Sequence, residues 1–259
     1  MKKIALLSML FAALATQGVN AKELKVGTNA TYAPFEFVNS QTGEIVGFEM
    51  DLVKAMAKIA GYDIKLVNMD FDGVIPSLMN GSIDMGAAGF SGNEKRKKKV
   101  DFLNPFYQSG LAIIINKSSE NAIKGMDDLK GKKIAVQMGT IGHDKAKEVP
   151  DAKITAFNQV GEALLELSNQ GVDAVINSKP ATAYMLKMQP KMAETTTILP
   201  NVISHGYTAM IVKKGNTALA EKMNAAFEKM KANGEYAAIY KKWFGMEPDW
   251  QPQKLDELK

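Results

Sequence analysis

Two similar β-rich runs that open on glycine, residues 110–115 and 206–212, place the strongest constraint on the fold. Between them, strand-like runs alternate with helical patterns. The strand-like runs are residues 134–137, 154–157 and 174–177, and the helical patterns are 140–148, 159–170 and 180–190. This alternation is typical of a parallel sheet covered by helices. We therefore predict an α/β protein in which the middle segment is a second domain inserted into the first, with the two similar runs as crossover strands. Two domains joined by such a hinge can close on a ligand.

The first 21 residues have the pattern of a secretory signal peptide. Lys2 and Lys3 form a basic start, residues 4–15 are an apolar run too short to span a bilayer, and residues 19–21 form a small-residue cleavage site. We expect cleavage after Ala21. No cysteine follows that site, so no lipid anchor is expected, and the mature protein is predicted to be released into a bacterial periplasm.

The composition argues against several classes of function. Of the 259 residues, 46% are hydrophobic, so the mature chain can bury one sizeable core or two smaller ones without disulfides. The net charge of +4 includes the two lysines of the signal peptide, and the remaining surplus is too small to indicate nucleic-acid or membrane binding. With no cysteine and only His143 and His205, the chain has no metal-ligand cluster and no persuasive nucleophile–base pair. No metal, cofactor or nucleic acid is therefore expected.

Arg96 is the only arginine in the chain, and all the other residues counted as lysine or arginine are lysine. Either residue can supply surface charge, but only a planar guanidinium grips a carboxylate with two parallel hydrogen bonds. We therefore predict that Arg96 anchors a ligand. The alternative is that residues 93–99 are a solvated helix start in which one basic residue happens to be arginine.

Other candidate site residues follow the ends of strand-like runs, where ligands of open α/β sheets bind. Asn29 and Tyr32 follow the first run, while Phe71 lies at a strand-to-helix junction where a cleft role and a core role remain open. Residues 137–143 begin a helix after a strand, which leaves backbone amides available to an anion. Ser178 has the ordinary pattern of a helix N-cap.

Helical patterns also occur near both ends of the mature chain. The apolar positions Phe48, Leu52, Met56 and Ile59 fall on one face of a helix that Gly61 would cap, with Glu49 and Asp51 in its first turn. A second amphipathic pattern covers residues 217–233 and a third covers 235–245. The remaining residues, 246–259, have the pattern of a polar tail.

Several motifs together resemble the bacterial extracellular solute-binding protein family 3, the periplasmic receptors for polar amino acids in ATP-binding-cassette importers. The motifs are residues 47–52 with Met56, Ala57 and Ala60, residues 70–78, residues 89–96, residues 101–102 with Tyr107, and residues 240–245. The resemblance implies a two-lobed fold, each lobe a sheet flanked by helices, joined by a two-strand hinge. Lobe 1 would comprise residues 22–108 and 206–259, and lobe 2 would comprise the inserted residues 109–205.

The resemblance also implies roles for individual residues. Arg96 matches the arginine that clamps the ligand α-carboxylate, assisted by Ser91 and by the backbone amides of Thr140 and Ile141. Gly89 matches the position whose carbonyl accepts from the α-ammonium group.

Aromatic and amide side chains would form the rest of the implied pocket. Tyr32 and Phe71 match the residues that sandwich the ligand side chain, and Phe90 borders them. The positions that vary with the ligand in the family correspond to Asn29, Gln137 and Asn177.

The sequence departs from the family pattern at Ser178, where an aspartate usually neutralises the ligand ammonium. Asn29 likewise stands where several members carry an acid. A desolvated ammonium without a carboxylate partner carries a large penalty. Three outcomes stay open: another acid reaches the ammonium, affinity for amino acids is low, or the ligand is a carboxylate without a free α-ammonium. The loss of two acids counts against arginine and lysine, so we expect a polar, uncharged amino acid or a related small carboxylate.

The expected function is therefore capture of a small ligand by a monomeric receptor that delivers it to the membrane permease of an ABC transporter. The alternative from another class is an enzyme on the same scaffold, similar to periplasmic cyclohexadienyl or arogenate dehydratases. Such an enzyme needs an acid in the cleft, which Ser178 cannot supply. Adhesion or chemoreceptor signalling could coexist with transport, and nothing in the sequence selects either.

Overall fold

The computed structural model describes residues 21–255, so the predicted signal peptide lies outside the described range except for Ala21. Strands within this range are β1 (Lys22–Thr28), β2 (Thr31–Tyr32), β3 (Glu36–Val38), β4 (Ile45–Val46), β5 (Tyr62–Asn68), β6 (Met85–Gly86), β7 (Val100–Phe102), β8 (Tyr107–Asn116), β9 (Lys133–Gln137), β10 (Lys153–Phe157), β11 (Ala174–Ser178), β12 (Thr196–Thr208) and β13 (Ile211–Lys213). The α-helices are α1 (Phe48–Ala60), α2 (Phe71–Asn80), α3 (Glu94–Lys97), α4 (Ile141–Ala146), α5 (Val160–Ser168), α6 (Lys179–Met188), α7 (Pro190–Thr195), α8 (Thr217–Ala232) and α9 (Glu235–Phe244). Over the described range, none of these helices combines the length and the apolar character that a membrane span requires.

The first sheet joins strands from both ends of the chain in the order β5-β1-β6-β13-β7. Strand β1 is parallel to β5 and β6, whereas β13 runs antiparallel to β6 and β7. Helix α1 buries Phe48, Leu52 and Met56 against this sheet, as their spacing predicts, and ends at Gly61 in the left-handed conformation. Helices α8 and α9 contribute to the same core.

The second sheet has the order β10-β9-β11-β8-β12. Strands β10, β9 and β11 are parallel, and β8 runs antiparallel to both β11 and β12. Apolar clusters cover the sheet; one includes Ala146 of α4, and the other includes Leu164 of α5 and Met185 of α6. The predicted α/β class is thereby confirmed, with one strand, β8, running antiparallel to the other four.

The antiparallel strands β8 and β12 carry the chain between the two sheets. They pair from Tyr107 opposite Thr208 to Asn116 opposite Thr196, with register shifts near Val202. The prediction for the second glycine-opening run is partly wrong, because residues 206–212 are not one strand. The run breaks at residues 209–210, where the chain leaves the second sheet and the Ala209 amide donates to the Phe90 carbonyl oxygen at 2.9 Å.

The segment predicted as a polar tail is mostly exposed over its described residues, 246–255, but it is held to the body of the protein. Pro252 is buried, and the Leu255 amide donates to Asn104 Oδ1 at 3.3 Å. The Tyr240 hydroxyl, on α9, donates to Asp249 Oδ1 at 2.9 Å.

Candidate functional site

A cavity lies between the two sheets. Its lining residues come from both sheets and from the loops that follow their strands. They are Asn29, Tyr32, Glu36, Phe71, Ala88, Gly89, Ser91, Arg96, Leu111, Gln137, Thr140, Ile141, Gly142, Asn177 and Ser178. The structure therefore brings together every residue of the predicted pocket except Phe90, and it adds Glu36, Ala88, Leu111 and Gly142. Contact of these residues with a ligand stays a prediction.

Arg96 reaches the cavity from the short helix α3, whose first turn is fixed because Asn93 Oδ1 accepts from the Arg96 amide at 2.7 Å. Its side chain is only 7% exposed. Nη1 donates to the Ser91 carbonyl oxygen at 2.8 Å, and Nη2 donates to the Gly139 carbonyl oxygen at 3.0 Å. No carboxylate within residues 21–255 forms an ion pair with it. Burial lowers the pKa of Arg96 to about 10, and the charge of Asp144 offsets only part of that effect.

Phe71 and Phe90 support the guanidinium group of Arg96. Each ring centroid lies 5.3 Å from Arg96 Cζ, and the two rings stack on each other at 4.8 Å. Phe71 also lines the cavity, which answers the question that its sequence position left open. Phe90 is 1% exposed, borders Phe71 as expected, and lies behind Arg96 without lining the cavity, so its contact with a ligand stays a prediction.

Amide side chains close the cavity across the two sheets. Gln137 Nε2, at the end of β9, donates to Asn29 Oδ1 at 3.1 Å, and Asn29 Nδ2 donates to the Met69 carbonyl oxygen at 2.9 Å. Asn177 Nδ2 donates to Thr182 Oγ1 at 3.0 Å. These three amides therefore already hold protein partners, and the contact between Gln137 and Asn29 draws the two sheets together.

Thr140 and Ser178 begin helices on the second sheet's side of the cavity. Thr140 Oγ1 accepts from the His143 amide at 3.1 Å and so caps α4, while the Thr140 amide donates to the Gln137 carbonyl oxygen at 3.4 Å. Ser178 precedes α6, with Pro180 in the first turn, but its side chain makes no capping hydrogen bond. Ser178 therefore occupies the N-cap position, as predicted, but its hydroxyl group does not cap the helix.

Two buried carboxyl groups, Glu36 and Glu49, lie at the edge of the cavity. Both residues are 0% exposed, and Glu36 lines the cavity beside Tyr32 and Gly89. Glu49 is in the first turn of α1, as predicted, but its Oε2 accepts from the Gly89 amide at 2.7 Å instead of facing solvent. The two carboxyl groups also share a hydrogen bond, and apart from that contact the other three oxygens have no partner in the described structure.

The environment of this acid pair favours protonation. Burial, together with repulsion from Glu49, raises the pKa of Glu36 well above its usual range. Burial raises the pKa of Glu49 to about 7, against the opposing hydrogen bond from Gly89. Burial likewise raises the pKa of Tyr32, with smaller contributions from both glutamates.

Sequence reasoning did not place Glu36 at the cavity, because the pairing that brings it there was not predicted. Tyr32 and Glu36 are cross-strand partners in the β2–β3 hairpin. Partners in a β-hairpin place their side chains on the same face. The prediction of Tyr32 as a pocket residue could therefore have led to Glu36, had the hairpin been recognised.

A second cavity adjoins the first and extends toward β8 and β12. It shares Tyr32, Ser91 and Ser178 with the first cavity and reaches His205. It contains neither Arg96 nor Glu36. We place the candidate site in the first cavity because the buried side chains of Arg96 and Glu36 both line it.

Comparisons with known proteins agree with this arrangement. A family model described as bacterial extracellular solute-binding proteins, family 3, matches residues 24–246. The arginine-binding extracellular protein ArtP of Bacillus subtilis (strain 168) is 32% identical over 226 residues, with 86% of each chain covered. A probable histidine-binding protein of Neisseria gonorrhoeae is 31% identical over 230 residues, with 87% of this chain and 84% of that protein covered.

A solved structure of an ancestral arginine-binding protein bound to arginine is 40% identical to this chain. The two structures agree with a TM-score of 0.82 over 87% of this chain and 100% of that chain. The resemblance predicted from the motifs and the two-lobed α/β fold are thus confirmed. The chain belongs to the bacterial extracellular solute-binding proteins, family 3.

Proposed function

We propose that this protein captures an amino acid in the periplasm and delivers it, unaltered, to the permease of an ABC transporter. Its family membership supports the class of function, and the names of its relatives point to amino acids as ligands. The predicted signal peptide supports the location. The proposed protein acts as a monomer and needs no cofactor.

Arg96 is the observation that carries this proposal. A buried guanidinium that hydrogen-bonds only to carbonyl oxygens has lost most of its hydration without gaining an opposite charge. That arrangement is costly unless an anion completes it. The cavity next to Arg96 can hold a carboxylate, and charge-assisted hydrogen bonds to it contribute roughly 1.5–3 kcal/mol each.

Closure of the two lobes supplies the rest of the proposed mechanism. Arg96 donates across the cleft to Gly139, and Gln137 donates across it to Asn29. A ligand between these contacts is enclosed, and strands β8 and β12 are the elements that can bend to admit it. Exclusion of water strengthens each polar contact with the ligand. Three or four such contacts, with burial of the ligand between Tyr32 and Phe71, suffice for a dissociation constant of about 1 μM, or roughly −8.2 kcal/mol.

The dehydratase alternative gains one supporting observation, because Glu36 places a carboxyl group with a raised pKa at the cavity. A protonated carboxyl is what expulsion of a leaving group requires. Formation of product from prephenate or arogenate would decide in favour of the enzyme, and binding without product would decide in favour of the receptor.

The test of the receptor proposal is a thermal-shift screen followed by calorimetry. Purified protein is heated with L-arginine, L-histidine or L-glutamine, since a ligand that binds only the folded state raises the melting temperature. We expect at least one amino acid to do so. Arg96→Lys removes the paired hydrogen bonds to the carboxylate and should weaken binding by about 10-fold to 100-fold, which corresponds to roughly 1.5–3 kcal/mol.

Lys95→Gln is the matched control. Lys95 is one position from Arg96 in the sequence, but its side chain is 74% exposed, so the variant removes a positive charge from the surface. We expect this variant to bind within a factor of two of the original protein. Wild-type affinity in the Arg96→Lys variant, or a folded protein that responds to no amino acid, would contradict the proposal.

A further inference from the structure

We propose that Glu36, paired with Glu49, receives the α-ammonium group of the ligand in place of an acid at position 178, and that binding expels a proton from this pair to solvent. The inference rests on the proposed function, since it concerns the same cavity. It assigns the charge partner that Ser178, which is neutral, cannot provide. The exchange is balanced: a protonated Glu36 and an ammonium ion become a carboxylate–ammonium pair and one released proton.

The first support is the unsatisfied hydrogen-bonding capacity of the pair. Glu36 and Glu49 are fully buried; the two carboxyl groups share one hydrogen bond, Glu49 Oε2 accepts from the Gly89 amide at 2.7 Å, and the pair has no other donor in the described structure. Buried polar atoms in folded proteins nearly always have partners. Glu36 lines the cavity, so the donors it lacks can come from a bound molecule. An ammonium group offers three donors and the charge that a carboxylate needs.

The second support is the position of Glu36 relative to the carboxylate anchor. Arg96 donates to the Ser91 carbonyl oxygen. Gly89 lies two residues before Ser91, and two residues of backbone span at most ~7 Å, so Gly89 is close to the guanidinium group. Glu36 Oε1 lies 3.3 Å from the place that a β-carbon on Gly89 would occupy. In an α-amino acid the ammonium is attached to the carbon next to the carboxylate. A ligand held by Arg96 through its carboxylate therefore brings its ammonium toward Gly89 and Glu36.

The third support is the charge around the pair. Glu49 faces Glu36 from α1, Tyr32 faces it from β2, and Tyr107 approaches the same region from β8. All three are acids, and no lysine, arginine or histidine of the described chain lowers the pKa of either glutamate. Burial and repulsion from Glu49 raise the pKa of Glu36, and burial raises the pKa of Glu49, so the ligand-free pair retains a proton at neutral pH. The ammonium group of a bound ligand would instead favour the ionised form of Glu36.

Calorimetry can count the proton. An amino acid identified by the thermal-shift screen is titrated at pH 7 in phosphate and in Tris, whose ionisation enthalpies differ. We expect release of up to one proton for each ligand bound, and an affinity that increases up to tenfold per pH unit between pH 6 and pH 8. Equal binding enthalpies in the two buffers, with an affinity independent of pH, would overturn the proposal without the need for any variant.

Variants then locate the proton and the contact. Glu36→Gln should abolish proton release and weaken binding of L-glutamine, or of whichever amino acid binds, by tenfold or more. It should leave binding of the analogue that lacks the amino group, such as 4-carbamoylbutanoate for L-glutamine, within a factor of two. The double variant Glu36→Gln, Ser178→Asp should recover affinity for the amino acid without recovering proton release.

The same experiment separates this inference from the receptor function on which it rests. Tight binding of an amino acid that Glu36→Gln does not weaken would overturn the role of Glu36 and leave the receptor intact. Failure of every amino acid to bind the wild-type protein would overturn the receptor function itself. Equal weakening of the amino acid and of its analogue by Glu36→Gln would also overturn the proposal, since only the amino acid carries the ammonium group.

Discussion

The buried carboxyl of Glu49 predicts that stability of the ligand-free protein falls as the pH rises. The pKa of Glu49 is about 7 in the folded protein, against 4.5 for an ordinary glutamate. Between these two values the unfolded chain has lost the proton while the folded chain retains it, so raising the pH favours unfolding. The stabilising contribution is therefore complete below pH 4.5 and is lost as the pH passes through about 7. Its size is ~3 kcal/mol, at 1.36 kcal/mol for each pKa unit.

Glu49→Gln is the perturbation that isolates this contribution. The amide keeps an oxygen that accepts from the Gly89 amide but cannot ionise. We expect the variant to gain ~3 kcal/mol relative to the wild-type protein between pH 4.5 and pH 8, or ~6–12 °C in melting temperature for a chain of this size. Glu44→Gln, in the exposed segment between β3 and β4, is the control and should follow the wild-type pH profile.

Urea or thermal denaturation followed by circular dichroism, at one-unit pH steps and without ligand, measures the effect. The difference between Glu49→Gln and wild type should grow with pH, whereas the difference for Glu44→Gln should stay constant. Parallel stability curves for Glu49→Gln and wild type across this range would refute the assignment of a raised pKa to Glu49.

Two further predictions concern the packing around the site and the tail. Gly89→Ala should lower the free energy of unfolding by ~1–3 kcal/mol in urea denaturation, because Gly89 has φ +64 and a β-carbon there meets the Tyr32 ring at 3.2 Å. Gly81→Ala is the control: Gly81 has φ +81 with open space around it, so this variant should lose less stability. An equal loss of stability in the two variants would contradict the crowding at Gly89. Tyr240→Phe should cost ~0.5–1.5 kcal/mol and expose residues 246–255 to limited proteolysis, because it removes the hydrogen bond to Asp249. Unchanged proteolysis of that variant would mean that other contacts hold the segment.

The sequence was sufficient for features whose physical cause is local. Alternating strand and helix patterns predicted the α/β class, and the spacing of Phe48, Leu52 and Met56 predicted the buried face of α1. The choice of arginine at one position predicted the buried guanidinium of Arg96, because no other side chain offers its planar set of donors.

Features that depend on contacts between distant segments could not be predicted in the same way. Glu36 enters the cavity because β2 pairs with β3, and its neighbour Glu49 comes from helix α1, which begins at Phe48. Phe90 lies behind Arg96 because it stacks on Phe71, a contact that its place in a Gly-Phe-Ser-Gly motif does not reveal. Sequence reasoning left open whether another acid reaches the ligand ammonium, and the structure places Glu36 in the lining of the cavity, although both family acid positions hold neutral residues.

The strand order of the first sheet determines when each half of the molecule can be completed. Strand β13 lies between β6 and β7, yet it follows them by more than a hundred residues. Every strand of the second sheet, by contrast, lies within residues 107–208. Counted from the N-terminus, the second sheet is therefore complete before β6 and β7 gain the strand that joins them. The half that contains Arg96 and Glu36 is the last to become whole, because β7 has no partner in its sheet until β13 is present, whereas β1, β5 and β6 can pair earlier.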